Sequence, residues 1–268
     1  MTSRAFGGAS CKVPAADRLA DHSACVHTSH DALVQVPAAR WLFGVSTQGM
    51  DASAAARCRF AGFVSSPECV DCALFLLSPA ETAAMDPQQR LLLEHGYEAL
   101  HSASFDRAQL GGSLIGIFLG FGGSDFAGLL DASPAGGSVY AATGFASSIA
   151  CGRISYVLGL HGPCASYDTA CSSALTAFHA ATVAMRRDEC RGSLAEGVNL
   201  MLAPHAGALW AIAGLTSLLG RSFTFDARAD GYGRGEAVCA AALKREAKGH
   251  MLAAVLGSAV RQDGRSAS

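Results

Sequence analysis

The sequence is poor in charge: 16% of its 268 residues are Asp, Glu, Lys or Arg, and the formal net charge is -2. Binding nucleic acid or an anionic membrane surface needs clustered Lys and Arg. No such cluster occurs, so a neutral small molecule or another protein is the expected partner. Also missing is an uninterrupted apolar run of about eighteen residues, the minimum for a membrane-spanning helix. The opening stretch, MTSRAFGGASCKVPAADR, carries Lys12, Asp17 and Arg18 and has no apolar core of a secretory signal. A soluble cytoplasmic protein is the expectation, with organelle targeting left open by so short a leader. Low-complexity linkers and internal repeats are absent as well.

Apolar residues, by contrast, make up 50% of the chain, enough to bury a substantial core in one large domain or two small ones. The ten cysteines are spread through segments that read as helix and strand. In a chain this long they are expected to be mostly reduced, buried thiols rather than a disulfide framework. Residues 1 to about 75 show no sustained period and are expected to be irregular, with short elements. At Met85-Asp86-Pro87-Gln88-Gln89, Asp86 can cap a helix, Pro87 suits its first position and Gln89 has capping-box spacing. That helix should run to about Leu100, with Leu93, Tyr97 and Leu100 on one stripe.

Ile115 to Gly120 reads as a buried strand, with Gly116, Gly120, Gly122 and Gly123 suggesting a tight loop near the sheet edge. A helix is expected over 143–158, a break at Gly162-Pro163 and another short buried strand over Cys164 to Tyr167. Ser172 to Arg187 is apolar almost all round and should be a central helix. Further strands are expected over 194–202, 237–243 and 252–260. Short apolar strands alternating with helices argue for an α/β protein with a mostly buried sheet.

Other constellations read as structural. Cys69 and Cys72 have zinc-knuckle spacing but no second pair, and Cys25, His27 and His30 match no known ligand order, so no metal is expected. His179 lies two turns along the helix from Cys171 and should be a packed or hydrogen-bonded histidine. Asp226, Asp230, Arg234 and Glu236 surround glycines and are expected to order a loop by ion pairs.

The chemistry concentrates at Tyr167-Asp168-Thr169-Ala170-Cys171-Ser172-Ser173. A strand ending near Asp168, a tight turn and a helix from Ser172 would place Cys171 where a helix's unpaired N–H groups point. Negative charge on sulfur is favoured at such a place. The Cys171 N–H could also serve in an oxyanion hole. A cysteine merely packed beside a helix start satisfies the same spacing, so geometry alone leaves both readings open.

DTACSSAL at 168–175 resembles the active-site motif of β-ketoacyl synthases of the polyketide synthase type. Several other stretches agree in order: MDPQQRLLLE at 85–94, TGFASSIACGRISYVLGLHGP at 143–163, GVNLML at 197–202, FDARADGYGRGEA at 225–237 and GSAVRQDGRS at 257–266. DAL..VPAARW at 31–41 is similar to the family's early segment, and the match is loose before about residue 30. The resemblance implies a thiolase-like αβαβα sandwich, with 1–268 forming the N-terminal half plus the start of the second.

By the same resemblance, Cys171 is the nucleophile of an acyltransferase in polyketide or fatty acid biosynthesis, and Thr169, Ala170, Ser172 and Ser173 shape the turn beside the substrate. Asp168 would anchor that turn by hydrogen bonds. An acyl group would pass from the phosphopantetheine of an acyl carrier protein to Cys171, and a malonyl thioester would then lose carbon dioxide and condense with it. No bound cofactor is implied. The implied partners are the carrier protein and a second copy, or a complete ketosynthase.

The family also requires two histidines and a lysine from motifs of the type HGTGT and KSNIGH. Neither occurs in this sequence, and none of its nine histidines has a matching context. This argues against condensation by this chain alone and keeps a second reading in play, a degenerate ketosynthase acting as a non-catalytic pairing module. Two smaller departures are a shortened LTSLLGRSF segment and Ala237 where the family has glycine.

Overall fold

A computed structural model describes residues 4–245 and 251–265. Its main sheet has six strands: β1 (Arg4–Lys12), β4 (Ile115–Phe121), β5 (Cys164–Tyr167), β6 (Gly192–Asn199), β8 (Ala237–Lys244) and β9 (Ala253–Val255), in the order β5-β4-β6-β8-β1-β9. β4 runs parallel to β5 and β6, while β8 pairs antiparallel with β6 and β1. A three-stranded sheet, β2 (Val34–Gln35), β3 (Phe60–Gly62) and β7 (Arg234–Gly235), stands beside it.

The period of two along each strand distributes side chains to the sheet's two faces. Ile115, Ile117, Leu119 and Phe121 pack in one core with Leu91, Leu92 and Leu100 of the Pro87–Ser102 helix and Ile154 of the Ser147–Leu158 helix. Phe118 of the same strand packs on the opposite face with Ala177, Ala181 and Met185 of the Ser173–Arg186 helix. Helices on both faces explain why all of β4 is buried and why it reads as one apolar run.

Asp86 caps the Pro87–Ser102 helix as expected, its Oδ1 accepting from the Gln88 N–H at 2.7 Å. Gln89 does not close a capping box. The Asp86 N–H donates to Gly144 O, and the Gln89 amide reaches Thr143 O and Ala146 O.

Other expectations need correction. β1 lies inside the sheet, although residues 1–75 carried no pattern. Its sequence, RAFGGASCK, is short of β-branched residues because the Pro87–Ser102 helix crosses it closely: a Cβ on Gly8 would lie 2.5 Å from Ala103 N. The 143–158 helix begins only at Ser147, after a separate turn over Ala141–Gly144. The expected strand over 194–202 lies at Gly192–Asn199, and that over 252–260 shrinks to Ala253–Val255. Gly116 and Gly120 belong to β4, which is flanked on both sides, so only Gly122 and Gly123 form the loop.

The charged cluster does not pair with itself. Glu236 binds Arg40 at 2.8 Å, Asp226 binds Arg228 at 2.8 Å, and Asp230 lies 3.9 Å from Arg57. No helix among the described residues is long and apolar enough to cross a membrane.

β6 carries one polar residue into the core. Glu196 is 1% exposed, and neither carboxyl oxygen has a hydrogen-bond partner among the described residues. It fits beneath the Pro87–Ser102 helix because position 96 is glycine; a Cβ there would lie 2.6 Å from Glu196 Oε1. Burial, and secondarily the Cys151 sulfur, lifts its carboxyl well above the ordinary 4.5.

The native state therefore holds a proton that the unfolded chain releases above pH ~4.5, and stability falls as pH rises from there toward the native value, by up to about 1.4 kcal/mol per pH unit. Glu196→Gln is expected to raise the melting temperature at pH 7.5 and to leave it nearly unchanged at pH 4. An equal shift at both pH values in thermal melts would contradict this.

Candidate active site

β5 ends at Tyr167, and the chain turns through Asp168 and Thr169 into a 3-10 turn, Ala170–Ser172, before the Ser173–Arg186 helix. Cys171 lies in that turn, just ahead of the helix rather than within it, and is exposed. Ser172 is the residue at the N-cap, and its hydroxyl donates back to Thr169 O at 2.9 Å instead of capping.

Ala170 has φ 56°, the left-handed region that a Cβ disfavours by about 1–2 kcal/mol. Two hydrogen-bonded clasps hold it there. Asp168 Oδ1 accepts from the Ala170 N–H at 3.1 Å. The buried Ser173 hydroxyl accepts from the Thr169 N–H at 2.9 Å and donates to Ala170 O at 2.7 Å. Thr169 Oγ1 lies 2.8 Å from Ser172 Oγ and 3.1 Å from Thr176 Oγ1. The turn's hydroxyls are thus bonded within the turn and to the first turn of the helix, while Cys171 is exposed.

Two glycines position the helix. Gly120 of β4 and Gly197 of β6 are register partners, and Ala174 sits on the pair. A Cβ on Gly120 would lie 2.6 Å from Ala174 Cα, and one on Gly197 would lie 2.5 Å from Ala174 Cβ. Sequence reasoning put Gly120 at the close of the apolar strand and in the loop after it, and assigned Gly197 no role. Their signal was a glycine interrupting each of two apolar strands, which marks a close backbone approach.

A second support was also missed. Gln88 donates to Gly123 O at 3.2 Å and accepts from the Leu200 N–H at 3.1 Å. Asp86 also accepts from Ser124. The MDPQQR segment thereby fixes the loop after β4, where Gly122 lies next to Asp168.

The Ser173–Arg186 helix is less enclosed than its apolar sequence suggested, with Leu175 76% exposed beside the turn. His179 Nδ1 lies 2.9 Å from Ser258 Oγ, which also reaches Thr182 Oγ1 at 2.9 Å, so this histidine ties down the segment after β9. A cleft lined by Trp41, Arg57, Cys58, Phe60, Met201 and Arg234 contains no residue of the Cys171 turn. Among the described residues no group of three His, Cys, Asp or Glu is arranged to hold a metal.

A sheet with helices on both faces, and a cysteine on the strand–turn–helix that leads out of its edge strand β5, define a thiolase-like α/β protein. The family described as beta-ketoacyl synthase, N-terminal domain, matches residues 5–249, and the chain belongs to that family. It is 44% identical over 213 residues to a phenolphthiocerol/phthiocerol polyketide synthase chain of Mycobacterium tuberculosis, matching 78% of this chain and 14% of that protein. To erythronolide synthase EryA3 of Saccharopolyspora erythraea it is 42% identical over 213 residues, 78% of this chain and 7% of that one.

Among solved structures, the ketosynthase from module 6 of the bacillaene synthase of Bacillus subtilis superposes with a TM-score of 0.89 at 29% identity, over 99% of this chain and 45% of that one. The chain thus spans less than half the length of these relatives and of this structure.

Proposed function

We propose that this chain carries the acyl-acceptor site of a β-ketoacyl-[acyl-carrier-protein] synthase. The observation that carries the reading is the placement of Cys171, exposed on a clasped turn ahead of a helix whose start rests on Gly120 and Gly197. The Cys171 thiolate attacks the thioester carbonyl of an acyl group borne on a carrier protein's phosphopantetheine. The carbonyl oxygen takes the negative charge, and the Cys171 N–H is the proposed donor to it. Collapse expels the pantetheine thiolate and leaves the acyl group on sulfur. Thr169, Ala170 and Ser172 form the surface against which the substrate lies.

The second half of the reaction, decarboxylation of a malonyl thioester and attack of its enolate on acyl-Cys171, needs donors for the enolate oxygen. The HGTGT and KSNIGH types of motif are not in the 268 residues, so the proposed division is loading by this chain and condensation only with histidines from outside it. The second reading, a non-catalytic module that pairs with a second copy or a complete ketosynthase, is favoured by apolar surface such as Leu175 at 76% and Leu256 at 90% exposure.

Thiol release separates the two. Incubated with an acyl-pantetheine thioester, the chain is expected to release up to one equivalent of thiol, with at least a tenfold slower release from Cys171→Ala. It should liberate no carbon dioxide from malonyl-pantetheine. Equal thiol release from both forms would favour the pairing module.

A further inference from the structure

Away from the Cys171 turn, the cleft where the small sheet meets the Pro204–Ile212 helix holds an arginine that its surroundings leave unengaged. The cleft measures about 460 Å³ including its open mouth, and Arg57, Cys58 and Arg234 line it together with apolar residues.

Its two arginines differ. Arg57 Nη1 donates to Asp230 O at 2.8 Å and to Thr216 O, and lies 3.9 Å from the Asp230 carboxylate. Arg234, on β7, makes no side-chain hydrogen bond or ion pair among the described residues; its Nη1 rests against Gly207, where a Cβ would lie 3.2 Å from it. Two carboxylates act on it at longer range, but both are engaged elsewhere. Asp125 accepts from the Leu202 and Ala203 N–H groups at 3.3 Å, and Glu236 binds Arg40 at 2.8 Å.

We propose that this cleft is a binding site for a short-chain monocarboxylate, with the carboxylate on Arg234 and the alkyl chain against Trp41, Phe60 and Met201.

The chemistry of the lining supports each part. A guanidinium is a planar fork of donors that matches the two oxygens of a carboxylate. Burial weighs against the Arg234 charge, and an anion in contact with it offsets that cost. With only one guanidinium unengaged and Asp125 already acting on it, a single negative charge suits the cleft better than the two of a phosphate. The remaining wall, including Val36, Trp41, Phe60, Ala61, Met201 and Pro204, is apolar. Each methylene buried there should tighten binding about fourfold.

Cys58 gives the cleft its own reporter. It is half-buried in the lining, and the Arg234 charge acts on its thiol. Iodoacetate carries a carboxylate and iodoacetamide does not, while both alkylate a thiolate with loss of iodide. The ratio of their rates at one cysteine cancels that cysteine's thiolate fraction. What remains is recognition of the carboxylate.

The test uses the Cys171→Ala chain, so that it is independent of acyl loading, with chymotryptic peptides separating Cys58 from the other cysteines. The iodoacetate-to-iodoacetamide ratio at Cys58 is expected to exceed that at the exposed Cys69 at least tenfold. Butyrate should slow both reagents at Cys58 saturably, and butyramide should not. In the Trp210→Phe form, which leaves Trp41 as the single tryptophan, butyrate should shift the emission with the same half-saturation, whether or not Cys58 is labelled. Arg234→Met should bring the Cys58 ratio down to that of Cys69, and Arg234→Lys, which keeps the charge without the fork, should fall between. Equal ratios at Cys58 and Cys69, protection by butyramide equal to that by butyrate, or Trp41 emission indifferent to butyrate would overturn the proposal. None of these three readings depends on an Arg234 variant that folds.

Discussion

Gly120→Ala is expected to lower stability by about 3 kcal/mol and to cut acyl loading at Cys171 at least tenfold. The added methyl would meet the backbone of the Ser173–Arg186 helix at Ala174, lying 2.6 Å from its Cα. Backbone on both sides cannot turn aside as a flexible side chain can, and overpacking of a rigid contact costs roughly 1–3 kcal/mol, occasionally more. Relief requires the helix start to move. That movement pulls Ser173 away from the Thr169 N–H and Ala170 O, the bonds that hold the left-handed turn before Cys171.

Gly122→Ala is the control. Its methyl would meet only Asp168 Oδ1, at 3.8 Å, and should change stability by less than about 0.5 kcal/mol. Urea midpoints read the first effect and thiol release the second. A Gly120→Ala chain with the parent's midpoint and loading rate would show that the close approach is not what positions Cys171.

Arg40→Met is expected to cost about 3–5 kcal/mol at pH 7.5, the range for leaving one partner of a buried ion pair alone. Glu236 is the carboxylate concerned: its side chain is 0% exposed, and it accepts from Arg40 at 2.8 and 3.0 Å and from the Val64 and Met201 N–H groups at 2.9 Å. It joins the small sheet to the end of β6.

Burial already raises this carboxyl above its ordinary 4.5, with the two N–H groups and Arg40 opposing. Losing Arg40 raises it further. Above pH 4.5 the unfolded chain ionises while the variant's native state holds its proton, so the cost grows with pH and shrinks toward pH 4. Arg40→Met/Glu236→Gln should recover most of the loss. Denaturation at pH 4.5 and 7.5 checks it; a loss independent of pH, or no recovery in the double variant, would contradict the account.

What was legible in the sequence follows from where each signal resides. The Pro87–Ser102 helix could be read because Asp86 and Pro87 act locally. β4 could be read because a strand covered on both faces is a bare apolar run, whereas β5, expected to be buried, is the half-exposed edge strand of the sheet. β1 could not, because Gly8 answers to the helix crossing over it rather than to its own strand.

The same division holds at the site. The family motif marked Cys171, whereas the clasp by Ser173 and the seat on Gly120 and Gly197 depend on segments far apart in sequence. The ion pairs expected around Asp226, Asp230 and Glu236 do form, but with partners outside that group: Arg228, Arg57 and, from the opposite end of the chain, Arg40.

The central claim is that Cys171, alone among ten cysteines, accepts an acyl group because of where the fold holds it. The most direct measurement is the intact mass of the chain after incubation with an acyl-carrier thioester, followed by mapping of the modified peptide. The account predicts one acyl adduct per chain, on the peptide carrying Cys171 and absent from Cys171→Ala. A folded chain that takes up no acyl group, or takes it up equally on Cys69 or Cys239, would contradict it.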